Sequence, residues 1–193
     1  MIPSFRLAAC LLALGAVVAG GPSWVPAAAQ SPAPVAGPLN IDLPPDWESR
    51  FIRYATVDKA DRKIIRFLFV NPEAFAAARP GQPLPNDTMI VMADRRARLG
   101  PDGNPLLDQQ GRFIAEPNYI AIAVQQKHQG WGESYPAEWR NADWEYARFN
   151  PDGTRLAGAT TPESVRACFT CHIGTRPAQD FAFNFWDYVQ TRR

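Results

Sequence analysis

Near the C-terminus two cysteines stand three positions apart with a histidine directly after the second: Cys168-Phe169-Thr170-Cys171-His172. On a helix, residues three and four apart share a face, so both thiols and the imidazole can address one flat ligand. The chemistry that suits this set is covalent attachment of a single haem. Two thiols add across the porphyrin vinyl groups as thioethers, and the adjacent imidazole supplies an axial ligand to the iron. Cys168, Cys171 and His172 are therefore assigned to haem c binding, with His172 as the iron ligand.

A cysteine pair at this spacing also serves as a disulfide, a redox pair or half of a zinc site. A closed zinc site asks for four ligands, and beyond residue 29 the chain offers two cysteines and two histidines. A thioredoxin-like pair asks for a preceding strand in a βαβ frame, whereas this pair falls at the end of a helix. Haem is the reading these features favour.

The sixth coordination position decides between electron transfer and small-molecule chemistry. No Met, His or Lys follows His172, so a downstream methionine is not available. Upstream candidates are Met89, Met92 and His128. The methionines lie on opposite faces of an apolar strand, where core filling is their ordinary role. His128 sits in the polar run Gln125-Gln126-Lys127-His128-Gln129, where a hydrogen-bonded surface histidine is the ordinary reading. The expectation is a five-coordinate iron whose open side takes a small ligand such as NO, CO or hydroxylamine. A six-coordinate electron-transfer cytochrome c, using His128 or a Met, is the alternative. Phe67 and Phe69 on one strand face, with Phe51, Tyr54, Trp144 and Tyr146, could line an apolar pocket, and none is assigned to it.

These residues need elements to position them. Residues 64–70 are β-branched and aromatic and stop at Asn71-Pro72, which predicts a strand and then a helix over 72–78. Residues 88–95 read as a central strand, residues 100–111 as a long loop, and residues 119–124 as a strand alternating large with small side chains. Residues 144–149 give a fourth strand, closed by Asn150-Pro151-Asp152-Gly153 as the start of a hairpin. Thr161-Pro162-Glu163 opens a helix predicted to run from 162 to about 173, which carries the haem run at its C-terminal end. The fold class is α+β, mainly antiparallel sheet with a few helices. With 19 prolines and four strand-like runs, a helical-bundle cytochrome is disfavoured.

The chain has 193 residues and opens on Arg6 followed by an apolar run and then Ala27-Ala28-Ala29. That pattern is a secretory signal peptide over residues 1–29, cleaved before Gln30. Leu7-Ala8-Ala9-Cys10 also matches a lipoprotein box, but most of the apolar region follows Cys10, so Cys10 is assigned to the discarded leader. Residues 30–45 are rich in Pro and Ala and read as a tether, and residues 46–193 as the haem domain. Removing Arg6 with the leader leaves 19 basic against 19 acidic residues. Such neutrality offers no electrostatic footprint for nucleic acid. Export implies a periplasmic location.

Val70-Asn71-Pro72-Glu73-Ala74, Pro83-Leu84-Pro85-Asn86-Asp87-Thr88 leading into Ile90-Val91-Met92, Gly130-Trp131-Gly132, Asp143-Trp144-Glu145 and the haem run follow one another in an order that resembles the cytochrome P-460 family. That family includes hydroxylamine-oxidising cytochromes and β-sheet cytochromes c-prime that bind gases. The resemblance implies an antiparallel sheet fold, commonly a homodimer, and one five-coordinate haem with an aromatic distal face. A redox partner protein is expected beside the small ligand. Oxidising members carry a lysine bonded to the porphyrin; gas-binding members lack it. Here the lysines are Lys59, Lys63 and Lys127, with none in residues 88–98. Asp87 stands where the family pattern leads one to expect a glycine, and Ala93 where an acidic residue often follows the Met. These residues leave turnover and simple ligand binding equally open.

Overall fold

The computed structural model describes residues 39–192; the leader with Cys10 and most of the tether lie outside them. Five strands, β1 (Ile52–Lys59), β2 (Ile64–Val70), β3 (Met89–Ala97), β4 (Ala115–Lys127) and β5 (Trp144–Phe149), pair antiparallel in chain order. The helices are α1 (Trp47–Arg50), α2 (Pro72–Ala77), α3 (Pro162–Thr175) and α4 (Asn184–Thr191). The α+β class read from the sequence is the class observed. Residues 64–70 and 144–149 form strands with the predicted bounds, and the strand of residues 88–95 is the central β3.

Three of the named strands and helices escaped the sequence reading: α1, a single turn of four residues, β1 and α4. β1 is half-buried along nearly its whole length and carries a bulge between Arg53 and Ala55, which breaks the alternation that marks a strand. α4 is only eight residues long, and its signal reduces to the pair Phe185 and Val189, four apart and fully buried. β4 is longer than predicted, because its first half carries a Pro and polar residues that hide the pattern. After β5 the chain turns at Asn150–Gly153 as expected, but returns as a single bridge, Phe149 to Arg155, rather than a full strand.

The sheet is packed on both sides. On one face Val70, Ile90, Trp144 and Tyr146 meet Val165 and Phe169 of α3 and Phe185 and Val189 of α4. On the other, Phe69, Val91, Ile122, Val124, Ala147 and Phe149 meet Trp47 of α1 and Ile41. Burying side chains of this size contributes roughly 1.5–3 kcal/mol each, so α3 is held to the sheet chiefly by Val165 and Phe169. Ile41 is fully buried although composition assigns it to the tether, and with Leu43 beside it docks the segment on this face of the sheet. Among the described residues no helix is long and apolar enough to cross a membrane.

Candidate haem site

α3 begins as its residues dictate. Thr161 accepts from the Ser164 amide at 3.3 Å while Ser164 Oγ accepts from the Thr161 amide at 3.2 Å, and Pro162 fills the first helical position. The buried stripe of the helix is Val165 and Phe169. The Phe169 ring lies 4.4 Å from Tyr135, 4.9 Å from Trp139 and 4.7 Å from Tyr146. Asn141, fully buried, donates from Nδ2 to Tyr146 Oη at 2.9 Å and to the Phe169 carbonyl at 3.1 Å, tying helix to sheet. With Phe169 facing inward, Cys168 and His172 are left half-buried at the helix flank and Cys171 exposed.

Both cysteines are free thiols. Burial raises the pKa of Cys168, an effect that Arg148 opposes. His172 packs between Tyr146 and Phe183, each ring centroid 4.7 Å from the imidazole. Burial lowers its pKa, so the ring is neutral near pH 7, and its Nδ1 lies 2.5 Å from the Phe181 carbonyl. A carbonyl can only accept, so Nδ1 carries the proton and Nε2 keeps its lone pair. A neutral imidazole oriented by a backbone acceptor and two free thiols one helical turn apart form a donor set that fits a covalently held haem.

The carbonyl that orients His172 belongs to a strained segment. Asp180 (φ 48°) and Phe181 (φ 56°) are consecutive non-glycine residues in the left-handed region, a conformation that costs on the order of 1–3 kcal/mol each. Several bonds enforce it. Lys127 Nζ donates to Asp180 Oδ2 at 2.8 Å and to the Leu84 carbonyl at 3.0 Å, and the Leu84 amide donates to the same Asp180 oxygen at 2.8 Å. The Phe181 amide donates to the Arg176 carbonyl at 2.9 Å. Gln125 Nε2 then donates to the Phe181 carbonyl at 3.1 Å.

The fold sorts the other candidates. Met89 belongs to the cluster on the sheet face away from α3. Met92, half-buried and three residues on, shares the α3 face with Ile90. His128 is 43% exposed at its side chain, with Nδ1 2.5 Å from Asp87 Oδ1 and its ring 5.0 Å from Trp131. Phe51, Phe67 and Phe69 gather with Glu48, Arg53, Arg95 and Tyr119 around a cleft of about 450 Å³. Phe69 and Phe51 belong to the cluster away from α3, so that cleft is not part of the haem site. Trp144 and Tyr54 pack on the α3 and α4 side, and Tyr146 alone of the six aromatics touches His172.

Lys127 is held by Asp180, while Lys63 Nζ donates to the Gly103 carbonyl at 2.8 Å. Ala93 is fully buried on the face away from α3, whereas Asp94, next in the chain, is bound through both oxygens by Arg66 at 2.9 Å. Asp87 has φ 61°, which explains the expectation of glycine there; aspartate tolerates that region, and its carboxylate holds His128.

The sequence did not reveal Phe181, Phe183 or Gln125. Phe181 acts through its backbone, which leaves no residue-type signal, and Gln125 is distinguished only by the register that places it beside Ile90 and Tyr146.

A comparison with curated proteins returns no match. A family model described as cytochrome P460 matches residues 44–184, a span that holds all five strands, the haem run and the Phe181 carbonyl. By this match, over most of its length, the chain belongs to the cytochrome P460 family.

Proposed function

We propose that this chain is an exported mono-haem c cytochrome, attached to its cofactor through Cys168 and Cys171, whose iron takes His172 on one side and a small nitrogen compound on the other. Membership of a family of haem proteins acting on nitrogen compounds supports the class of reaction. The observation that carries the reading is His172 itself: Nδ1 is committed to the Phe181 carbonyl, which leaves Nε2 for a metal, on the same helix flank as two free thiols. When bound, haem iron supplies reversible binding of NO or CO and, with an electron acceptor, oxidation of hydroxylamine.

The chain's residues favour an open sixth position. Met89 points to the wrong face of the sheet, and His128 is bound to Asp87 at the surface. They also favour ligand binding over lysine-linked oxidation, since Lys127 is fixed by Asp180 and Lys63 by Gly103. We place the protein in the periplasm, as a homodimer that exchanges electrons with a redox partner.

Expression with a haem-maturation system, then denaturing electrophoresis with haem staining and absorption spectra, tests this reading. Cys168→Ala combined with Cys171→Ala abolishes the stained band, and the wild-type ferric protein is high-spin. An unstained wild type would sink the proposal. A ferrous Soret band shifted far to the red would instead establish a lysine cross-link.

The six-coordinate electron carrier retains one candidate, because Met92 shares the α3 face of the sheet. A low-spin ferric spectrum is its signature.

A further inference from the structure

We propose that Gln125 is a positioning residue that tunes the iron ligand through a shared backbone carbonyl. The inference rests on His172 being that ligand.

The Phe181 oxygen receives two donors, His172 Nδ1 at 2.5 Å and Gln125 Nε2 at 3.1 Å. A carbonyl has two lone pairs, so it serves both, but each hydrogen bond drains electron density that the other would use. A strong acceptor at Nδ1–H pushes charge into the imidazole and makes Nε2 a better donor to a metal. Gln125 therefore acts as a brake: by occupying the second lone pair it weakens the acceptor, and with it the donor strength of His172.

The brake is built rather than incidental. Gln125 is 8% exposed on β4, so water competes little for its amide. Gln125 shares its strand face with Lys127, two residues on, which fixes Asp180 and thereby the adjacent Phe181 peptide. Without those restraints, two consecutive left-handed non-glycine residues would relax and carry the carbonyl away from the imidazole. One strand face thus both holds the carbonyl in place and sets its strength.

The test uses purified haem-loaded protein, with resonance Raman of the ferrous form and redox titration as readouts. In Gln125→Met, of similar length but with no donor, the carbonyl serves His172 alone. The iron–histidine stretching frequency rises and the midpoint potential falls, because a stronger donor stabilises the ferric state. Gln125→Leu gives the same two shifts and stands in if the Met variant fails to load haem. A merely structural role for Gln125 would change haem yield or thermal stability and leave both readouts at the wild-type value; that result overturns the proposal. A wild type whose covalent haem is high-spin and five-coordinate yet shows no iron–histidine band would sink the ligand assignment as well, so the two failures are distinguishable.

Discussion

His172 uses one nitrogen for a carbonyl, and in the proposed site the other faces iron, so coordination number there turns on whether a second side chain can reach the metal. Among the sulfur and imidazole candidates only Met92 lies on the α3 side of the sheet without a surface partner such as the one that holds His128. Its thioether is flexible, yet a strand interior gives it the ordinary role of a space-filler beside Leu68 and Ala123. Met92→Leu is thus expected to leave the ferric spectrum high-spin and to cost under about 1.5 kcal/mol of stability. A change from low-spin to high-spin on this substitution would make Met92 the ligand and the protein an electron carrier. Asp94 behaves differently, because its carboxylate is buried and depends on Arg66. Arg66→Met strands that charge and is expected to lower stability by about 3–5 kcal/mol in urea unfolding. A loss under 1 kcal/mol would mean that water reaches Asp94.

Between elements, α3 depends on the segment joining β4 to β5. That segment presents Tyr135, Trp139 and Asn141 to Phe169, and its course is set where Gly132 passes the backbone of Ala142. A Cβ added at Gly132 would stand 1.7 Å from the Ala142 carbonyl oxygen, and Ala142 is itself in the left-handed region at φ 49°. Backbone cannot step aside as a flexible side chain can. Gly132→Ala is accordingly expected to cost about 3 kcal/mol or more and to reduce haem incorporation, read from the ratio of Soret to protein absorbance. A variant with wild-type haem content and melting temperature would show that the segment has slack the packing does not suggest.

Across the whole molecule, stability should vary with pH through Glu145. This carboxyl is fully buried on β5, where burial raises its pKa to about 7 against the pull of two hydrogen bonds from Asn40. The unfolded chain releases this proton near 4.5 and the folded chain near 7, so the folded state holds more protons between those values. The contribution of Glu145 to the unfolding free energy therefore falls as pH rises from about 4.5 to 7, by on the order of 3 kcal/mol in total, and is level above. His172, whose lowered pKa gives the opposite sign, offsets part of it below about 6.5. Asp58 contributes with the opposite sign and at lower pH, since its bond to Arg112 holds its pKa below the usual range. Glu145→Gln should flatten the slope between pH 5 and 7 in urea titrations. An unchanged slope would place the responsible group elsewhere.

The proposed chemistry is read from five consecutive residues, because thioether attachment and axial ligation would require a fixed order along one helix, and order is what a sequence records. Strands β2 and β5 and the start of α3 were equally legible, since their apolar runs end on Asn-Pro or open on Thr-Pro signals that act locally. What surrounds the ligand was not. The two methionines look alike until pairing assigns them to faces, and the aromatic pair Phe67 and Phe69 suggests a pocket wall until the sheet turns it away from α3. The partner that orients His172 is a carbonyl nine residues away, held in a strained turn by Lys127 and shared with Gln125 across a strand. Backbone groups carry no residue identity, and long-range register is a property of the folded sheet, so only the tertiary structure could assign that partner.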